Sequence, residues 1–228
     1  MLTLLEKPFR LPPLGTMPFT AVAAHYRDIR WEAAEKIHQP ETNLVVIERA
    51  APAFPATIAE LNAHPKGEAQ LAFYAGNDVN LIPALLDEEL NLSAADSEAF
   101  YEDIKAVAVR FMKVARSPGI GIRLERINND NCRLFHIDHV PLRLISTYFG
   151  PGTEWLPNEH VIRHGLGKGS DALVRKGDAP IERFGLGWIG ILKGERYPGN
   201  RGRALVHRSP PLPGNGKPRV LLRIDAIS

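Results

Sequence analysis

Residues 119–138 read GIGIRLERINNDNCRLFHID, and the expected fold is worked out from this stretch. Ile120, Ile122 and Leu124 alternate with glycine and charged residues, the period of a strand with one face buried. Asn128-Asn129-Asp130-Asn131 then turns the chain. Cys132-Arg133-Leu134-Phe135-His136-Ile137-Asp138 reads as a second strand, in which side chains two apart share a face. His136 and Asp138 therefore point together, with Cys132 on the same side. A lone His-x-Asp pair is common by chance, and a surface ion pair is its duller reading.

Downstream the same short-strand pattern recurs. Leu142 to Phe149 is stopped by Gly150-Pro151-Gly152, and shorter runs lie at Thr153–Leu156 and Ala172–Arg175. Leu186 to Lys193, Arg203 to Arg208 and Arg219 to Ile224 complete the set. About eight short strands with Gly/Pro/Asn punctuation predict a double-stranded β-helix, or jelly roll, rather than alternating βαβ units.

Upstream the pattern is mixed. Tyr26 to His38 carries a helical stripe of Ile29, Ala33, Ala34 and Ile37, and Asn43 to Glu48 reads as a buried strand. Pro55 to Ala63 predicts a helix with proline at its start, and Gln70 to Tyr74 a strand. Ser93 to Ala115 predicts the longest helix, with Ser93 as cap, Asp96 in an acidic first turn, and a stripe of Phe100, Ile104, Val107, Phe111 and Val114. The expected class is α+β, mainly β: a mixed region over 1–117 packing on a core over 118–228 that carries the site.

Composition sets the outer limits. The 228 residues are 44% hydrophobic and 24% charged, ordinary for a soluble globular protein. The single cysteine excludes an internal disulfide framework and fits a reducing compartment. The opening MLTLLEKPFRLPPLG is too short and interrupted for a signal peptide, and no run approaches a membrane span, so a cytoplasmic protein is expected. Residues 1–116 carry a balance of −5 and residues 117–228 a balance of +7, which points to an anionic ligand in the second half. No dense Lys/Arg block with interleaved aromatics is present, which argues against nucleic acid as partner. The expected partner is a small-molecule or peptide substrate. Gly165–Gly169 (GLGKG) lacks the ending of a phosphate loop, and a Gly-x-Ser-x-Gly elbow is absent.

The chemistry rests on residues far apart in the chain. His207 lies 69 residues after Asp138, in RALVHRSPP, on a strand that Pro210-Pro211 ends. Two histidines and one carboxylate on one side of a metal leave the other positions open, as in non-haem iron(II) oxygenases. Arg219 and Arg223 are four apart and share a strand face, where a guanidinium can hold a carboxylate bidentately. Arg143, Ile145 and Thr147 share one face of their strand and Tyr148 takes the other, so Arg143 or Thr147 is a candidate ligand contact. Trp155 reads as packing, and Asn200 and Arg201 as turn residues. Cys132 with His136, Asp138 or His139 is a candidate zinc set, and His160 with His164 a second metal pair.

The spacing from His207 to Arg219 is similar to that of the 2-oxoglutarate-dependent oxygenases. That resemblance implies iron(II) on His136, Asp138 and His207, 2-oxoglutarate on the open positions, and a last-strand arginine on its distal carboxylate. The segments IGIRLERINNDNCRLFHIDHVPLRLISTYFGPGTEWLPNEHV, GWIGILKGERYPGN and ALVHRSPPLP…RVLLRID also resemble a bacterial domain-of-unknown-function family. In that family an arginine is usual at the place of Arg219, and a threonine tends to stand at the place of Arg223. The resemblance thus implies Arg219 as the clamp and Arg223 as support or substrate contact. The family's association with zinc-homeostasis genes implies zinc as the alternative metal, in a metallochaperone rather than a redox enzyme.

Overall fold

The computed structural model describes residues 24–64, 67–129, 132–211 and 218–227. The opening stretch read for a signal peptide, and Asp130-Asn131 of the expected turn, lie outside them. The strands are β1 (Ala24–Asp28), β2 (Thr42–Ile47), β3 (Glu68–Tyr74), β4 (Gly119–Ile127), β5 (Leu142–Phe149), β6 (Glu154–Trp155), β7 (Glu182–Arg183), β8 (Ile189–Lys193), β9 (His207–Arg208) and β10 (Arg219–Ile227). The α-helices are α1 (Pro55–Ala63), α2 (Ile82–Leu90) and α3 (Ser97–Ala115). The class is mixed α+β with a sheet-rich core. None of the described helices is long and apolar enough to cross a membrane.

Seven strands form one sheet in the order β1-β2-β8-β5-β10-β4-β3, antiparallel except for the β1–β2 pair. Strands from both sides of residue 117 share it. A smaller antiparallel sheet, β7-β6-β9, covers part of one face, and the described strands do not close into a barrel. The period-two alternation explains the layers. Val45, Ile47, Leu144, Ile191, Leu222 and Ile224 face the helices in the larger core. Leu44, Val46, Ile145, Leu192 and Leu221 face the other way, against Trp155 and Phe184 of the small sheet. On that second face the register sets Arg223 opposite Ile145 and Asp225 opposite Arg143, with Leu221 opposite Thr147.

Helix α3 buries Phe100, Tyr101, Ile104, Val107, Ala108, Phe111 and Val114 against the sheet. Each large side chain so buried contributes about 1.5–3 kcal/mol, far more than helix propensity does. The helix starts at Ser97, not at Ser93. The Ser93 amide and hydroxyl bond the Glu60 carboxylate at 2.9 and 3.0 Å, so Ser93 is not its cap. The Asp96 side chain does not cap its own helix either. Its carboxylate accepts from the Ala56 and Thr57 amides at 3.1 and 2.7 Å, the orphan donors at the start of α1.

Other elements also differ from expectation. The stripe from Tyr26 to His38 splits into β1 and a 3-10 helix over Trp31–His38 that buries Ala33, Ala34 and Ile37. Ala172–Arg175 is not a strand: Asp171–Leu173 is a 3-10 turn, and Arg175 makes a single bridge to Val161. The expected strand Arg203–Arg208 shrinks to the two residues of β9. Helix α2, with Ile82, Leu86 and Leu90 buried at helical spacing, was not anticipated.

Candidate metal centre

Residues 132–138 do not form the predicted strand. They run as an extended loop whose β-bridge, among the described residues, is His136 to His207, with His136 N donating to His207 O at 2.9 Å and His207 N to His136 O at 3.0 Å. Cys132 enters this loop with a positive φ of 59°, which turns it out of the alternation that would have set it beside His136. Strand β9 is held against β6, so the His207 side chain is anchored from both sides. Asp138 is tied at its carbonyl, which accepts from the Glu195 amide at 2.8 Å.

The candidate ligand atoms of His136, Asp138 and His207 lie within 4.8 Å of one another. His207 Nε2 is 3.3 Å from Asp138 Oδ2, and His136 Nε2 is 4.0 Å from Asp138 Oδ1. Nδ1 of His136 lies 2.9 Å from the Leu134 carbonyl, and Nδ1 of His207 3.3 Å from the Leu205 carbonyl. A carbonyl can only accept, so both rings carry a proton on Nδ1 and turn Nε2 toward Asp138. Burial pushes the His207 pKa down to about 4, against the pull of Asp138, which keeps the ring neutral at physiological pH. Burial works to raise the Asp138 carboxyl, but His207, Arg143 and His136 outweigh it and hold the group below its ordinary range. Asp138 Oδ2 has no hydrogen-bond partner among the described residues. Two imidazole Nε2 atoms converging on a buried carboxylate oxygen that has no partner among the described residues fit a divalent cation.

Around the three ligands lies a second set. Arg143 donates to both oxygens of Asp225, at 2.5 and 2.8 Å, and its Nη1 reaches Asp138 Oδ1. That fork orients the carboxylate, which is the role of an outer-shell partner. It also leaves Arg143 engaged, where the sequence had offered it as a ligand contact. Arg219 is fully buried on the same sheet face. Its Nη2 donates to the hydroxyls of Thr147 at 3.1 Å and Thr153 at 2.8 Å, while Nε and Nη1 have no acceptor among the described residues. Burial pushes its pKa down to about 10, so the guanidinium stays charged at neutral pH. Gly150, at φ +81°, lets the end of β5 pass over Arg219, because a Cβ there would come within 2.9 Å of the Arg219 Cβ.

A cavity of about 410 Å³ opens in front of this face. His136, Asp138, His207, Arg143, Thr153 and Arg223 line it together with Cys132 and Glu125. A smaller cavity of about 210 Å³ shares His136 and is walled by Phe135, Val174 and the glycines of the Gly165–Gly169 loop. Cys132 is exposed and outside the group of three, and among the described residues neither His139 nor the pair His160 and His164 joins such a group. Trp155 packs, stacked on Phe184 with centroids 6.3 Å apart. Tyr148 is buried on the helix side with its hydroxyl on Asp103, as the alternation predicts. Asn200 is buried, its side-chain amide donating to Gly194 O at 3.0 Å. Sequence reading missed Thr153 and Asp225. Asp225 was accessible, since it lies two residues beyond Arg223 on the same strand face.

Residues 30–225 match the profile of a family described as "Protein of unknown function (DUF1826)". The chain belongs to that family. No curated protein matches this DUF1826 member. Among solved structures it is similar to the dioxygenase for auxin oxidation 1 from Arabidopsis thaliana in a binary complex with 2-oxoglutarate, with 11% identity, 90% of this chain and 92% of that one covered, and a TM-score of 0.48. It is also similar to a dioxygenase for auxin oxidation from rice (13% identity, 90% and 83% covered, TM-score 0.44). A third is a full-length Neurospora crassa protein in complex with alpha-KG (12% identity, 86% and 78% covered, TM-score 0.44).

Proposed function

We propose that this chain is a non-haem iron(II)- and 2-oxoglutarate-dependent oxygenase of the hydroxylase type, its two sheets an open form of the double-stranded β-helix. Nε2 of His136, a carboxylate oxygen of Asp138 and Nε2 of His207 would hold the iron. When bound, iron with 2-oxoglutarate supplies dioxygen activation coupled to decarboxylation of the cosubstrate. The observation that carries the reading is Arg219. A fully buried cation with two donors that find no acceptor among the described residues is costly by several kcal/mol unless an anion completes it, and its partner Thr153 lines the same cavity as the three ligands. The distal carboxylate of 2-oxoglutarate would accept from Nε and Nη1, while Thr147 and Thr153 fix the plane of the fork through Nη2. Arg143 holds Asp138 in its ligating orientation, and the two Nδ1–H groups fix the imidazole tautomers.

Anaerobic iron(II) with 2-oxoglutarate should produce the weak visible charge-transfer band of a chelated complex, and aerobic turnover should release succinate. Arg219→Ala should weaken cosubstrate binding by about 2–4 kcal/mol, the scale for truncating one partner of a desolvated charge pair. Absence of the band together with zinc held tightly through purification would replace this reading with that of a zinc-binding protein on the same three ligands.

A further inference from the structure

The guanidiniums around the larger cavity are sorted by their partners. Arg143 is matched by Asp225 and Asp138. Arg208 is matched by Glu154 and Asp171, with its guanidinium over the Phe135 ring. Arg219 is taken by the cosubstrate in the reading above, on which the present inference rests. Arg223 is left. It lines the cavity four residues along β10 from Arg219 on the same face, roughly 13 Å away at strand rise. Its charge helps hold low the carboxyl of Asp138, which lines the same cavity. Its one ion pair among the described residues is with Glu125 at 3.5 Å, well beyond the roughly 2.7–2.9 Å of a charge-assisted hydrogen bond, and its buried Nε has no acceptor there. Glu125 is shared with Arg123 at 3.8 Å, so it keeps a cationic neighbour if Arg223 turns to another anion.

We propose that Arg223 binds the anionic group, a carboxylate or a phosphate ester, of the substrate to be oxidised, so that the substrate is an organic acid held apart from the cosubstrate. Arg219 and Arg223 lie on one face of β10, each with a buried donor that has no acceptor among the described residues, and they serve two different anions. The first neutralises the cosubstrate's distal end. The second orients the substrate acid so that its carbon skeleton lies over the metal. A cavity of about 410 Å³ falls within the roughly 300–1,000 Å³ of small-ligand sites, and Thr153, a partner of Arg219, lines it together with Arg223.

The test is calorimetric titration of benzoate, phenyl phosphate and uncharged benzamide into the protein, alone and loaded with cobalt(II) and 2-oxoglutarate. At least one of the two anions should bind about tenfold or more tightly than benzamide, and the stronger of them names the anion class. Arg223→Gln should remove that preference while changing 2-oxoglutarate affinity by less than about threefold, and Arg219→Ala should do the reverse. Equal binding of benzamide, no anion binding, or anion affinity untouched by Arg223→Gln would overturn the proposal. So would a loss of 2-oxoglutarate affinity in Arg223→Gln as large as the loss for the anion, since Arg223 would then belong to the cosubstrate. If 2-oxoglutarate does not bind while an Arg223-dependent anion still does, the oxygenase reading fails and the anion site stands.

Discussion

Arg143 shows how much one side chain carries at this centre. It joins β5 to β10 through Asp225 and at the same time aims the carboxylate of Asp138. Arg143→Ala should therefore lower affinity for cobalt(II) or zinc(II) roughly 10- to 100-fold in a competitive chelator titration, the usual cost of losing an outer-shell partner. Unchanged affinity would show that Asp138 orients itself. At this scale much was legible. His136, Asp138 and His207 meet, because alternation along an extended loop survives even where the ladder does not, and Arg219 reaches Thr153 on the wall of their cavity. Cys132 was misplaced because a positive φ breaks that alternation, and nothing in the residue type announces it. Thr153 was quoted only inside a longer motif, since a hydroxyl that holds a guanidinium has no spacing of its own.

At the scale of elements, the tie between α1 and α3 is the informative case. Asp96 lies at the start of one helix and satisfies the first amides of the other. Asp96→Ala should destabilise the protein by about 1–2 kcal/mol, the upper range for an N-cap, read as a lower urea midpoint at unchanged slope. A loss below about 0.3 kcal/mol would mean that water replaces the carboxylate at the start of α1. Helix α1 was legible to its boundaries, because Pro55 fixes its first turn and His64 leaves the helical region at its end. The cap of α3 was not. Ser93 and Asp96 have the right chemistry, but Glu60 and the α1 amides are in reach and compete for them. The two-residue strands β6, β7 and β9 carry too few side chains to show a period at all.

For the molecule as a whole, buried neutral histidines set an acid limit. Burial pushes the pKa of His25 down to about 4, as it does for His207, against an ordinary value of 6.5. Both rings therefore bind protons more readily unfolded than folded, so their stabilisation is complete above pH 6.5 and is lost as the pH falls toward 4. Each is worth at most about 3 kcal/mol over that window. The melting temperature of the metal-free protein should drop steadily between pH 7 and pH 5, and His25→Gln should shallow the slope; a flat profile would contradict this. The sheet order was the least legible feature, because strand pairing is decided by partners far apart in the chain and local pattern records only which face is buried. That order has a consequence during synthesis. β4 and β5 each pair with β10 rather than with one another, and β10 follows both by many residues. A nascent chain on the ribosome, or a product of premature termination before Arg219, would present both neighbours as bare edges and be a target for chaperones and for aggregation rather than a weakened enzyme.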